Sequence, residues 1–306
     1  MRAALLHLDD ALTVQRGLRR AVRTSGGRQL DYRDLGPALR LWSRPASLDR
    51  LRTRLAAALP VDFGPALVFS GSGDFHHITP LLIERALRSA GDPPVTVLHF
   101  DNHPDWMKFA PGAHCGSWVG WAARLPQVAR VLTIGVCSSD IDRPAAKGAD
   151  RVIVDDGRVE LYPYSAGYTG DPAGDPCRGR PSIEAMGEGA FADFLPQRIE
   201  TEAVYLTIDK DVLRAEDAGT NWDQGRTSLS FLKALITRVL RGRKVIGADV
   251  VGDWSRAAYG GGIVAAAFKR GEALLDQPWR MPAPALQTQN EAVNLALLAH
   301  IREAAR

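Results

Sequence analysis

The sequence is short of cysteine. Its only three, Cys115, Cys137 and Cys177, are odd in number and none is spaced C-x-x-C. That argues against a structural zinc site of that spacing and suits a reducing compartment. It is also short of net charge: 38 basic against 35 acidic side chains leave a formal +3, with Lys and Arg scattered rather than clustered. A nucleic-acid or membrane-surface partner would need a basic footprint, so neither is expected. Lysine occurs only at positions 108, 147, 210, 233, 244 and 269. No apolar run approaches the length of a bilayer span, and the first ten residues lack the apolar core of a signal peptide. A cytoplasmic location is therefore expected. With 45% hydrophobic and 24% charged residues over 306 positions, the composition is that of a globular protein able to bury a sizeable core.

From about residue 65 onward, short apolar runs alternate with helix-like segments, the pattern of a parallel sheet with crossover helices. The expected strands are Ala66 to Ser70, Val95 to Phe100, Val131 to Val136, Val152 to Val154, Ala203 to Ile208 and Val245 to Val251. Leu232, Leu235, Ile236, Val239 and Leu240 repeat at helical spacing after Ser228 and Ser230, either of which could cap the helix start. Further helices are expected over Ile78 to Ala90, with Pro80 in its first turn, over Glu291 to Ala305, and over the arginine-rich Leu48 to Leu59. The first 60 residues otherwise offer a strand-like start and a turn at Ser25-Gly26-Gly27. The stretch 155 to 196 is rich in Gly and Pro, as in Gly170-Asp171-Pro172 and Gly174-Asp175-Pro176, and reads as a long loop forming a lid or pocket wall within a single domain spanning 1 to 306.

What is abundant is locally concentrated. Five of the seven histidines lie between residues 76 and 114. Leu98-His99-Phe100-Asp101-Asn102-His103-Pro104-Asp105 ends one apolar run, and Asp209-Lys210-Asp211 ends another. In extended backbone, side chains two apart share a face, which would point Asp101, His103 and Asp105 one way and Asp209 and Asp211 another common way. By the same alternation His99 is assigned to the opposite face as a packed or hydrogen-bonded histidine, and Lys210 to a salt bridge behind the sheet. Strand ends are where open α/β sheets bind ligands, and His76 or His77, His103 and His114 all fall just beyond strand ends. Acids and imidazoles so arranged suggest a metal cage.

Taken in order, Gly73-Asp74-Phe75-His76, Asp101-Asn102-His103-Pro104-Asp105 and Ile208-Asp209-Lys210-Asp211 resemble the motifs of the ureohydrolase superfamily, the arginases and agmatinases, over roughly residues 65 to 255. The resemblance implies a three-layer α/β/α sandwich with a mostly parallel central sheet, two divalent metal ions, most naturally manganese, and a small-molecule substrate, with a homo-oligomer possible. Carried over residue by residue, it assigns His76, Asp101, Asp105 and Asp209 to one ion and His103, Asp101, Asp209 and Asp211 to the other, with Asp101 and Asp209 bridging. Phe75 is an insertion relative to the family motif, which leaves His77 as an alternative to His76. His114, in Ala113-His114-Cys115-Gly116, matches the family's proton-transfer histidine; His114 and Asp105 are the residues taken as catalytic. Thr220 to Gly225 stands where the family has a T-G-x-P-x-x-G-G segment. The family's last motif supplies a glutamate that holds the substrate guanidinium; Gly252 stands there here, with Asp253 as a candidate replacement.

The chemistry is consistent. Four carboxylates crowded together repel unless cations or protons intervene. A metal pair lowers the pKa of water toward ~7, and oxygen-rich ligation with two imidazoles suits manganese. The resemblance thus implies hydrolysis of a non-peptide C–N bond in a guanidino or amidine compound by a metal-activated hydroxide. A deacetylase-like amidohydrolase and an inactive metal-binding regulator are the alternatives. Trp106, Trp118, Trp121 and Trp222 are candidates either for pocket walls or for core packing. Cys115 is a secondary candidate nucleophile.

Overall fold

A computed structural model describes residues 1–110, 112–165, 174–278 and 284–306. Among the described residues ten strands run in chain order as β1 (Arg2–His7), β2 (Arg28–Asp31), β3 (Trp42–Ser43), β4 (Ala66–Phe69), β5 (Val95–Phe100), β6 (Ala113–His114), β7 (Val128–Val136), β8 (Val159–Pro163), β9 (Ala203–Asp209) and β10 (Lys244–Val251). Eight of them form one sheet in the order β2-β1-β4-β10-β9-β5-β7-β8, and every neighbouring pair in it is parallel. The short β3 and β6 pair antiparallel beside it.

The helices are α1 (Arg16–Thr24), α2 (Gly36–Leu39), α3 (Pro45–Ala58), α4 (Thr79–Ala90), α5 (Trp118–Ala123), α6 (Arg151–Asp155), α7 (Ile183–Met186), α8 (Glu188–Phe194), α9 (Leu229–Leu240), α10 (Ile263–Asp276) and α11 (Pro284–Ala304). Strand alternation divides the core in two. Ala4, Leu6, Val68, Val97, Val131 and Tyr205 face α2 to α6, whereas Leu5, Leu67, Leu98, Leu132, Leu206 and Val250 face α1, α7 to α9 and α11. The result is the three-layer α/β/α sandwich expected from the sequence. Parallel strands covered on both faces must be apolar nearly throughout, which is why they stood out as continuous runs.

Local signals place several elements. Ser228 caps α9 by accepting the Phe231 amide at 3.1 Å, α4 carries Pro in its first turn and ends at Gly91 with φ +84°, and α11 contains the expected Glu291 helix but begins earlier. Two expectations are corrected. Val152 to Val154 lies in α6, not in a strand, and Val152 is exposed; three apolar residues carry too little periodicity to tell the two apart. The edge strand is β8, inside the stretch 155 to 196 read as a loop. Its Glu160 breaks the apolar run but is buried among Arg130, Arg180 and Arg198. The rest of that stretch holds α7, α8 and a 3-10 turn at Leu195–Arg198, while Gly170-Asp171-Pro172 lies outside the described residues.

One consequence of the strand order matters for the site. The chain leaves β4, forms α4, and enters β5 three places away; β9 and β10 later fill the gap. The carboxyl ends of β4, β9 and β5 are thus brought to one edge, where the sheet's connections part. Helix α10 belongs to neither core and lies over that edge, with Glu272 and Asp276 at the cavity wall and Ile263, Val264, Phe268, Leu274 and Leu275 exposed on its outer side. No helix among the described residues is long and apolar enough to cross a membrane.

Candidate metal centre

Each cluster is held by its own backbone. Asp209 ends β9 and its carboxylate accepts the Asp211 amide at 3.0 Å; Asp101, just past β5, accepts the His103 amide at 2.6 Å. An acid bonding the amide two residues on is a built-in turn, and it is the physical reason a D-x-D or D-x-H spacing delivers two side chains to one spot here. The segment after β5 is therefore bent rather than extended, and Asp105 sits in the left-handed region at φ +47°. The side chains converge through the turn and not through strand alternation.

The bend sends them to two sides. Nδ1 of His76 faces Asp101 Oδ2 at 3.1 Å, Asp105 Oδ2 at 3.2 Å and Asp209 Oδ2 at 3.7 Å. On the other side Nδ1 of His103 lies 3.0 Å from Asp211 Oδ2 and 3.6 Å from Asp101 Oδ1. Asp101 offers one oxygen to each group, and the ligand atoms of His76, His99, Asp101 and Asp105, and those of Asp101, His103 and Asp211, fall into two clusters sharing that residue, each within 4.8 Å. All six sequence candidates, taking His76 in preference to His77, line one cavity of about 250 Å³. His77 is buried, faces away from it, and has neither ring nitrogen hydrogen-bonded; burial pushes its imidazole well below the ordinary value.

Close packing presses backbone against the acids. A Cβ on Gly73 would come within 2.5 Å of Asp209 Oδ2, and one on Gly252, at φ +93°, within 2.3 Å of Asp209 Oδ1. Glycine at 252 is thus required by the approach of β10 to the cage, and no side chain could stand there. Asp253 does not replace it. Its carboxylate takes the Lys210 ammonium at 2.6 Å, Gln15 at 2.9 Å and Asn294 at 3.1 and 3.2 Å, buried away from the cavity.

His99 is the packed, hydrogen-bonded histidine expected, but its assignment to the opposite face is corrected. Two residues before Asp101, it shares that residue's face, and its Nε2 lies 2.8 Å from Asp101 Oδ2 while Nδ1 meets the Thr133 hydroxyl at 3.1 Å. A polar layer beneath the cage completes this support. Nε2 of His76 is 2.9 Å from the Thr207 hydroxyl, which donates to Asp249 at 3.0 Å, and Asp249 also accepts from Thr79 and Tyr205. Such outer partners fix the orientation of ligating imidazoles.

The electrostatics show what the cage lacks. Burial alone would keep the carboxyls neutral; the imidazoles of His99, His103 and His76 overcome it at Asp101, which is held well below the carboxylate range. Burial and then the Asp101 charge push Asp209 up to about 7 and Asp211 well up. Burial lowers His76, but its contacts with Asp101 and Asp105 win and raise it well above the ordinary value. Four acids and too few cations retain protons where positive charge belongs. His76 Nδ1, buried and aimed at three carboxylate oxygens without the alignment of a hydrogen bond to any, marks the spot. The donor set, four carboxylates with imidazoles from two sides, fits a pair of divalent cations.

Around this core, the Trp118 indole donates to Asp105 Oδ2 at 2.6 Å and packs on His76 and His99. Trp106 and Trp222 line the cavity and Trp121 does not. Two acids escaped the sequence reading as site residues. Asp223 accepts from His103 Nε2 at 2.9 Å and from Asn102 at 3.0 Å; it stood in a quoted segment but without ligand spacing. Glu272 comes from α10, follows no motif, and accepts from His114 Nε2. His114 also lines the cavity, its Nδ1 accepting the Gly116 amide at 2.8 Å. Cys115 is buried, and burial followed by the charges of Asp74 and Asp105 pushes its thiol well up, which removes the thiolate a nucleophile needs.

No family model matches the chain. An uncharacterized protein of Thermotoga maritima is 28% identical over 196 residues, 64% of this chain and 60% of the relative, so the match spans less than two thirds of the relative's length. Solved structures agree more extensively in shape. Arginase from Bacillus cereus superposes with a TM-score of 0.60 at 13% identity, covering 98% of this chain and 96% of that one. Formimidoylglutamase from Bacillus subtilis gives 0.61 at 13% identity, covering 99% and 85%. Proclavaminate amidino hydrolase from Streptomyces clavuligerus gives 0.53 at 18%, covering 82% and 72%. With its parallel eight-stranded sheet and an acid cage at the strand ends, the chain has the fold of the ureohydrolases.

Proposed function

We propose that the chain is a dinuclear metallohydrolase that cleaves a non-peptide C–N bond in a small amidine or guanidino compound. The observation that carries this reading is the excess of buried carboxylate around His76 Nδ1 and His103 Nδ1, a charge pattern that needs cations rather than partners from the protein. His76, Asp101, Asp105 and Asp209 would hold one cation, and His103, Asp101, Asp209 and Asp211 the other. Manganese suits this oxygen-rich set. Two divalent cations, when bound, supply a water acidic enough to serve as nucleophile near neutral pH and a Lewis acid for the scissile group.

The remaining residues prepare that chemistry. Thr207 and Asp249 fix the ring of His76, and His99 and Trp118 fix Asp101 and Asp105. Trp106 and Trp222 line the cavity flanks with apolar ring surface. His114 has its Nδ1 committed to the Gly116 amide, so the proton it can exchange is the one at Nε2, shared with Glu272. This pair is the proton-handling group for the departing amine.

Asp101→Ala or Asp209→Ala removes metal and turnover together; a purified variant of either that keeps its full metal content contradicts the assignment. An amide substrate is the second reading, favoured by the glycine at 252 and the occupied carboxylate of Asp253. Screening the manganese-loaded protein against guanidino compounds and acetylated amines separates the two, since one releases urea and the other acetate.

A further inference from the structure

Most acids at the cavity are already spoken for. Asp101, Asp105, Asp209 and Asp211 form the cage; Asp223 has one oxygen on His103 and the other on Asn102; Asp276 pairs with Lys147 at 3.5 Å. Glu272 differs. Among the described residues only its Oε1 is engaged, by Nε2 of His114, and its side chain is one-quarter exposed, at the cavity wall.

The contact also has a direction. A ring nitrogen that accepts the Gly116 amide carries no proton, so neutral His114 bears its hydrogen on Nε2 and donates it to the glutamate. Before any proton moves to the departing amine, neutral His114 is thereby an orienting donor that aims the carboxylate and leaves its second oxygen open. The helix beneath is fixed too. Lys269, one turn earlier in α10, is buried and donates to the Ala38 carbonyl at 2.9 Å while lying 4.7 Å from the Trp42 ring. At the helix end Gln277 donates to Asp74 at 2.6 Å. Glu272 is therefore presented by anchored backbone rather than by a free loop.

We propose that Glu272 is the specificity-determining residue of the cavity, its open oxygen receiving the N–H groups of a cationic head group, amidinium or guanidinium, with His114 as its positioning residue. A planar cation with paired N–H donors matches a carboxylate better than a neutral amide does, because the hydrogen bonds become charge-assisted on both sides. The inference rests on the reading of this cavity as the substrate site, and it adds the charge of what enters. Asp140, at the same wall and partly buried, provides the electrostatic control, since neutralising it removes the same charge without removing an oriented acceptor.

The test compares acetamidine with its neutral isostere acetamide, binding each to the full-length, manganese-loaded protein by calorimetry. The wild type is expected to prefer acetamidine. Glu272→Gln should weaken acetamidine about tenfold or more and leave acetamide within twofold, whereas Asp140→Asn should weaken acetamidine less than threefold. Metal content, measured on each sample, should not change. His114→Ala should lower acetamidine affinity with the glutamate still present, and its Nε2–H signal in a spectrum of histidine-labelled, zinc-loaded protein should be the one that loses exchange protection in Glu272→Ala. Equal losses for both probes, equal losses in Glu272→Gln and Asp140→Asn, no preference in the wild type, or a His114 proton on Nδ1 would each overturn the proposal. Binding selectivity is read without turnover. A chain that selects acetamidine but hydrolyses nothing would refute the hydrolase reading and leave this assignment standing.

Discussion

Asp209, Lys210 and Asp211 are consecutive, yet they serve two buried charge clusters of opposite character. Asp209 and Asp211 turn into the cage, where carboxylates outnumber cations and one imidazole nitrogen has no aligned partner. Lys210 turns the other way, into a group where its ammonium faces the Asp253 carboxylate, which also accepts from Gln15 and Asn294. In the second cluster the charges cancel one for one, and the atom left without a partner, Asn294 Oδ1, is neutral. The first is complete only when something positive is added, and that imbalance, more than the presence of acids, separates a binding site from a structural ion pair.

The sharpest way to break this comparison is to remove one acid from each side. Asp209→Asn should cut bound metal from two equivalents to less than one, yet leave the metal-free protein as stable as the wild type or more so. The sign follows from its raised pKa: the folded state keeps a proton that the unfolded chain releases, so metal-free wild type loses stability as pH rises from 3.8 through about 7. Denaturation of metal-free samples across that range should show the slope reduced in the variant. Asp253→Ala should do the reverse, keeping the metal ligands but leaving Lys210 buried without its anion. A loss of about 3–5 kcal/mol in chemical denaturation is expected.

A third acid tests the same rule at the far edge of the sheet. Glu160 is clamped by Arg198, Arg180 and Arg130 with the Tyr162 hydroxyl, and although burial opposes ionisation these partners hold it at about 2. Its stabilisation is present above the ordinary value of 4.5 and is lost as pH falls toward 2, opposite in sign to Asp209. Glu160→Gln should cost about 2 kcal/mol at neutral pH, the arginines being partly in solvent, and should flatten the acid limb of the stability profile. Smallest is Thr207→Val, which takes the hydroxyl from behind His76. A fall of about tenfold in metal affinity is expected, read by competition with a chelating dye, with little change in fold stability.

The parallel strands were legible because burial on both faces leaves only apolar residues to choose from. The cage was legible because Asp101, His103, Asp209 and Asp211 sit at strand ends with a spacing that a turn converts into convergence. What failed did so for local reasons. His99 was placed on the wrong face although it lies two positions before Asp101, on the same side of the alternation; β8 hid behind Glu160, whose burial depends on Arg130, Arg180 and Arg198, all distant in sequence; α6 was too short to show a period. Asp249 looked like one more strand residue until Thr207 and Tyr205 were seen to bond to it. Glu272 had no sequence signal, because its partner lies 158 residues earlier and only the seating of α10 over the sheet edge joins them.

Everything proposed for this cavity depends on the cage holding two cations. Manganese-reconstituted, gel-filtered protein should carry two ions per chain by elemental analysis, and an anomalous difference map should show two peaks flanking Asp101, one beside His76 and one beside His103. Folded protein that retains no transition ion under these conditions, or ions bound away from Asp101 and Asp209, would contradict it.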